Sequence, residues 1–438
     1  MSLCLALFAC TEAKRTVPVR ADAGSAVAPG DIEAAVRANN AFAVALFAEL
    51  GQSSKGENML SSPLSASLAL SMAVAGAKGE TAREMAQALH FGESSHTAPF
   101  AGQKALRQAL LGRAPAALAA ETASPLAQAT PRPGDFQLQI VSSIWGQADY
   151  PWEARFLRTV SENHGASLTA VDFRNQFEAT RRAINSWVSA QTADKIQDLL
   201  PPQAVDKTTR MVLVNALHLK LPWVRPFAPS KTDSASFTPA DAKARSRRFM
   251  HSESDFRYRD DGTAQIIALP LSGEQLTVLV ALPHAGISLD SYERSLRAGS
   301  AALTVPQKVA LVALSLPKTS FTSETFSLSD ALRALGAKRA FERNRADFSG
   351  MCSHIPDGYN LYISDVLQKT RLEVQEYGVE AAAATAVGVE VAVSLQLDPP
   401  APIPMVVNRP FLISVVDVPT GAILMLGKIN DPGDSGSP

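Results

Sequence analysis

Residues 376–393 read EYGVEAAAATAVGVEVAV, a long run of small uncharged side chains with glutamates only at intervals. From Val379 the odd positions are Val379, Ala381, Ala383, Thr385, Val387, Val389 and Val391, and both downstream glutamates, Glu380 and Glu390, fall on even positions. In an extended chain side chains alternate between faces, so the segment has one apolar and one polar face. The alanine block by itself favours helix. Gly378 and Gly388 interrupt it, however, and the β-branched Val379, Thr385, Val387, Val389 and Val391 favour a pleated surface. Its small side chains enter a crowded sheet interior without needing large cavities. A segment suited to life both outside and inside a sheet requires a fold with a sheet that can receive it.

The rest of the chain supplies such a sheet. Helical periodicity covers residues 32–50, 61–75 and 81–89, with a break at Gly79. The Ala/Pro-rich residues 113–134 read as an exposed insertion, and residues 136–145 as a strand. From Met211 onward short β-rich runs bounded by Pro, Gly or charge dominate, among them VLVNALHLK, QIIALPL, LTVLVALP, VALVALSLPK and FLISVVDV. Helices first and strands later predict an α+β fold with large mixed or antiparallel sheets. At 438 residues, 46% hydrophobic and 19% charged, the chain has ample length for a large core. A formal net charge of −1 gives no global attraction to nucleic acid or anionic membranes. No apolar run in the body of the chain reaches the ~20 residues of a spanning helix.

Catalytic readings are incoherent. Gly433, Asp434, Ser435 and Gly436 spell GDSG, but only two residues follow, and a catalytic serine needs an oxyanion hole and a histidine held by an acid. The sequence reads there as a frayed tail over 433–438. Ser315 and Lys318 have S-x-x-K spacing, yet Pro317 and the apolar surroundings predict a strand, with no helix to bring the two together. The seven histidines show no HExxH pattern, Cys352 and His354 read as isolated structural or surface residues, and no metal or phosphate-binding loop is expected. No cofactor is expected either.

Five separated motifs then occur in one order. Residues 376–385 place Glu376, Tyr377, Gly378, Val379, Glu380, Ala381, Ala382, Ala383, Ala384 and Thr385 in a pattern that resembles the hinge of the serpin reactive loop. Residues 408–432, NRPFLISVVDVPTGAILMLGKINDP, are similar to that family's C-terminal signature. Residues 58–89, 213–227 and 346–351 resemble its helical, central and ADFSGM-type signatures. The resemblance spans about residues 31–432 and implies one serpin domain with an exposed, insertable reactive loop over about 376–404.

The resemblance also implies an activity: irreversible inhibition of a serine protease, the expected covalent partner of a monomer. The protease acylates on the loop, and the cleaved loop enters the sheet. The family's loop length places the scissile bond at Ala392–Val393, and counting back from Pro410 points to Ser394 or Leu395. Ala392 suits an elastase-like pocket and Leu395 a chymotrypsin- or subtilisin-like one. With no Lys or Arg between Glu376 and Asn408, trypsin-like targets are not expected. By resemblance Glu376, Lys318 and Trp223 form the breach where insertion begins, and Ser62, Ser65, Asn215 and Gln368 form the shutter beneath the sheet's centre. Gln368 stands where histidine is usual. Lys243, Arg245, Arg247 and Arg248 read first as a solvated strand edge or loop and second as a polyanion site of the kind some serpins carry. A non-inhibitory binding or carrier protein is the alternative reading.

Near the N-terminus, Leu7, Phe8, Ala9 and Cys10 resemble a lipobox in which Cys10 becomes the lipidated residue, making 1–10 a lipoprotein-type signal segment and 11–30 a flexible tether. The basic n-region and longer core of an ordinary export signal are missing. Lipid anchoring, plain secretion and a cytosolic location all stay open, with the extracytoplasmic readings preferred.

Overall fold

The computed structural model describes residues 29–92, 100–113, 137–354, 360–379 and 401–433. Cys10, residues 380–400, most of the 113–134 insertion and Ser435 lie outside them.

Helices dominate the first part. α1 (Pro29–Ser53), α2 (Pro63–Gly76), α3 (Gly79–Ala88) and α4 (Phe100–Leu111) lie in the N-terminal part, followed by α5 (Ala154–His164) and α6 (Phe173–Gln191), with the short α7 (Leu289–Ser295) and α8 (Ser329–Ala334) later. α1 starts two residues ahead of the expected boundary, so the segment read as a tether already contributes its last two residues to helix. α2 starts where Ser62 caps the Ser65 amide and Pro63 fills the first turn, where a missing N–H costs nothing. It is buried on nearly every side, consistent with its lack of an apolar stripe.

The strands are β1 (Met59–Ser61), β2 (Gln137–Gln147), β3 (Leu168–Val171), β4 (Met211–Pro222), β5 (Thr232–Phe237), β6 (Arg245–Asp260), β7 (Ala264–Pro270), β8 (Leu276–Pro283), β9 (Val309–Pro317), β10 (Thr319–Thr322), β11 (Phe326–Ser327), β12 (Leu367–Gln368), β13 (Arg371–Gln375), β14 (Gly378–Val379), β15 (Ile403–Val406), β16 (Phe411–Asp417) and β17 (Ile423–Ile429). Nine of them form a mixed sheet in the order β1-β17-β16-β8-β7-β6-β9-β15, with β5 on a second edge of β6. β8, β16 and β17 are buried throughout, which is why they read as continuous apolar runs and not alternating ones.

The second sheet carries the site. Its order is β10-β13-β14-β4-β2-β3. β2 and β4 pair antiparallel from Gln137↔Lys220 to Gly146↔Met211. β14 is antiparallel to both β13 and β4, so those two strands run parallel to each other with β14 as a two-residue wedge between their ends. One apolar cluster fills the space between the two sheets, and Trp223, Val374 and Val379 belong to it.

Candidate functional site

At the wedge the chain reverses. β13 ends at Gln375, Glu376 and Tyr377 make the turn, and Gly378 and Val379 re-enter the sheet with Val379 opposite Val374 on one side and Leu221 on the other. Gly378 is required by packing: a Cβ there would lie 2.4 Å from the Leu221 carbonyl oxygen and 2.5 Å from Pro222 Cα. Val379 is 2% exposed. Sequence reading keeps this whole segment in an exposed loop until cleavage. The structure already has its first two residues in the sheet, because a glycine without Cβ and a compact apolar valine fit the slot between β4 and β13. Ahead of Val379 lies a narrow cleft bounded by Leu217 and Leu219 of β4 and Arg371 and Glu373 of β13.

The turn is held from three directions. Lys318 Nζ lies 3.0 Å from Glu376 Oε2, with both side chains largely buried. Thr232 donates its hydroxyl to Glu376 Oε1 at 3.1 Å. The indole of Trp223 donates to the Gln375 carbonyl at 2.8 Å, while the backbone N–H groups of Trp223 and Phe227 donate to the carbonyls of Tyr377 and Glu376. The two rings stack edge to face, 6.4 Å apart. Burial pushes the Glu376 carboxyl up, but its own backbone amide, Lys318 and Thr232 all stabilise the anion and together hold it below the ordinary carboxylate range. Lys318 and Trp223 are thus brought to Glu376 as one unit; the parts played by Thr232 and the Phe227 amide carry no sequence signal.

A second polar cluster sits where α2 meets the sheet. Gln368 Oε1 accepts from the Ser62 N–H at 3.0 Å, and Gln368 Nε2 donates to the Ser62 carbonyl at 3.0 Å. The side-chain amide therefore pairs with Ser62 as a strand neighbour would. Ser62 Oγ donates to the Leu424 carbonyl. Thr370 Oγ1 donates to the Leu60 carbonyl, and the Thr370 N–H to Ser323 Oγ. Asn215 lies on β4 opposite Ser142. Ser65 is buried beside Ser62, but among the described residues its hydroxyl has no hydrogen-bond partner. Thr370 and Ser323 join this cluster without a motif to announce them.

Other sequence candidates resolve differently. Arg245 and Arg247 both pair with Asp431, at 2.7 Å in each case, and Arg245 also meets Asp241. They secure the C-terminal segment to β6, so half of the basic cluster is already neutralised. Ser315 does not approach Lys318 as an S-x-x-K pair: its hydroxyl lies 2.9 Å from His251 Nδ1, and His251 Nε2 lies 2.9 Å from Asp233. That chain superficially matches a hydrolase triad, but β9 is flanked by β6 and β15, whose ladders consume the N–H groups an oxyanion hole needs. Cys352 is a buried free thiol that donates to the His354 carbonyl. Among the described residues no group of three acidic, His or Cys side chains is placed to hold a metal.

Comparison with known proteins gives this architecture its class. The family model described as serpin (serine protease inhibitor) matches residues 37–432. The chain belongs to the serpin family. It is 32% identical to Serpin B10 of Bos taurus, over 90% of this chain and 98% of that one, and 32% identical to an uncharacterised serpin-like protein of Thermococcus kodakarensis, over 92% and 87%. To the human leukocyte elastase inhibitor it is 28% identical over 90% and 98%. Among solved structures it is similar to the thermophilic serpin tengpin in its native state, with TM-score 0.78, 26% identity and 95% and 97% of the two chains covered. It is also similar to human thyroxine-binding globulin complexed with thyroxine, at TM-score 0.76 and 25% identity, over 92% and 100%. A protein named as an elastase inhibitor and a protein named for binding thyroxine both lie among those it is similar to.

Proposed function

We propose that this chain is an irreversible suicide-substrate inhibitor of serine proteases. The observation that carries the reading is the entry of Gly378 and Val379 between β4 and β13, which run parallel on either side of them. Continuing that register puts Ala381 between Leu219 and Leu372, Ala383 between Leu217 and Thr370, and Thr385 between Asn215 and Gln368. Each arriving side chain is small, and the two strands are already parallel, so a single antiparallel insertion completes both ladders. Met211, the first residue of β4, then pairs with Val389, close to the expected bond at Ala392–Val393, with Ser394 and Leu395 just beyond.

In this mechanism the protease serine attacks the loop carbonyl, the bond to the following residue breaks, and the acyl-enzyme forms as in ordinary hydrolysis. Insertion of residues 376–391, about 50 Å at ~3.3 Å per residue, then carries the attached protease along the sheet. A displacement of even ~1 Å costs about 100-fold in an active site, so deacylation stops. New ladder bonds at a net ~1 kcal/mol each supply on the order of 10 kcal/mol. The uncut form is then kinetically held, with Lys318, Glu376 and Trp223 as the starting point and the Gln368–Ser62 cluster as the brake on strand separation.

Elastase-like or chymotrypsin/subtilisin-like enzymes are the targets this loop suits. An extracytoplasmic location, with Cys10 as lipid anchor, brings the inhibitor to such enzymes. A polyanion would meet Lys243 and Arg248, since Arg245 and Arg247 are held by Asp431. The test is to mix the protein with an elastase-like and a chymotrypsin-like protease, run denaturing gels and weigh the released C-terminal peptide. A complex that survives denaturation, with a peptide beginning between Val393 and Gln396, supports the reading. Cleavage with no complex sinks it and leaves the carrier reading, which the likeness to thyroxine-binding globulin favours.

A further inference from the structure

Behind the Trp223–Phe227 corner, on the face of the nine-stranded sheet, lies a cavity of about 360 Å³. Among the residues that line it are Trp223, Phe227 and Phe256 and the valines Val305, Val309 and Val418. Two polar groups in it lack partners. Thr277 lines the cavity, is 2% exposed, and among the described residues its hydroxyl has no hydrogen-bond partner. A buried hydroxyl without a partner costs about 1–3 kcal/mol, a cost that a ligand supplying the bond removes. Arg257 stands in register with Ala268 on one side and Val309 on the other, and both of those residues line the cavity. Among the described residues the Arg257 guanidinium has no ion-pair or hydrogen-bond partner, whereas that of the neighbouring Arg225 donates to Ser254 Oγ and the Asp255 carbonyl. Asp255 and Glu274 also line the cavity, so net charge does not select a ligand. The central register position of the unengaged guanidinium does.

We propose that this cavity binds a small aromatic carboxylate, its ring packed against the apolar lining, its carboxylate on Arg257, and a polar substituent or carboxylate oxygen within reach of Thr277. An apolar enclosure with a few placed polar groups is the ordinary make-up of a small-molecule site, and this volume lies at the small end of that range. The site does not depend on protease trapping. It does touch the loop root, because the backbone N–H groups of Trp223 and Phe227 are the donors to Tyr377 and Glu376.

The experiment is calorimetric titration of the full chain with 2-naphthoate and with the neutral 2-naphthylmethanol, followed by amide exchange of the saturated protein. The expected result is saturable binding of one naphthoate per chain, weakened about tenfold or more by Arg257→Ala and several-fold by the near-isosteric Thr277→Val, with the neutral analogue binding weakly. The exchange of the Trp223 and Phe227 amides slows when the site is filled. Arg257 is exposed, so its replacement leaves folding intact. The proposal is overturned by no saturable binding up to millimolar concentration, by naphthoate binding that ignores Arg257→Ala, or by equal affinity for the neutral analogue.

Discussion

Replacing Val379 by arginine tests the insertion mechanism at its first step. Val379 is 2% exposed and lies between Val374 and Leu221 with the apolar core behind it. The substitution forfeits about 1.5–3 kcal/mol of apolar burial. It also asks the slot to accept a charge that stands to lose several kcal/mol of hydration. Neither term touches acylation or hydrolysis, which occur at the far end of the loop. If only ~3 kcal/mol is felt in the insertion barrier, insertion slows by about 150-fold, at 1.36 kcal/mol per tenfold. Trapping and deacylation compete for the same acyl-enzyme, so the number of inhibitor molecules consumed per protease inactivated should rise from near one towards the order of a hundred. The assay titrates residual protease activity against molar ratio and compares cleaved chain with covalent complex on a denaturing gel. Val379→Ala is the graded control: its loss of about 1–2 kcal/mol predicts tenfold or so. One-to-one trapping by Val379→Arg would show that this residue need not enter the sheet, and the mechanism argued from its register would be wrong.

Four further outcomes follow from the same geometry. Gly378→Ala, whose Cβ meets Leu221 and Pro222 at contact distances no real Cβ tolerates, should release the wedge, seen as faster amide exchange at residues 378 and 379; unchanged exchange would contradict the close approach. Gln368→Ala strands the Ser62 N–H and carbonyl in a buried setting and should cost about 1–3 kcal/mol, read as a lower denaturant midpoint at unchanged slope. The Glu376 carboxyl is held below its ordinary range in the folded chain, so its contribution to stability is fully present above the unfolded value near ~4.3 and is lost as pH falls through the folded one. Glu376→Gln should accordingly flatten the acid limb of a stability–pH profile, and an identical limb would remove the carboxyl from the account. Trypsin-like enzymes should cut or ignore the loop without being trapped, given the absence of Lys and Arg between Glu376 and Asn408; a stable trypsin complex would disprove the pocket argument.

How much of this was legible depended on whether a property is periodic or spatial. The alternation starting at Val379 correctly set which face of that residue is buried, since period two survives any tertiary context in which the strand forms. The α+β order and most strand positions followed from runs bounded by Pro, Gly and charge. The pairing of Lys318 with Glu376, by contrast, came from family resemblance, because nothing local connects two residues so far apart. Thr232, Ser323, Thr370 and the Phe227 amide were invisible for the same reason. Each contributes only ordinary hydrogen bonds whose meaning lies in which strand end they reach. Asp431 is the clearest case: four basic residues within the six positions 243–248 invite an anion from outside, yet the chain supplies its own anion from the far end of the sequence. The state of the loop root is legible only as a pair. Gly378 alone suggests a flexible turn, and Pro222, which has no N–H to offer a ladder, alone suggests a strand end. Opposed in register they make a slot in which a backbone without Cβ lies against a strand terminus that needs no hydrogen bond from it, and that combination lets Val379 enter the sheet before any bond is cut.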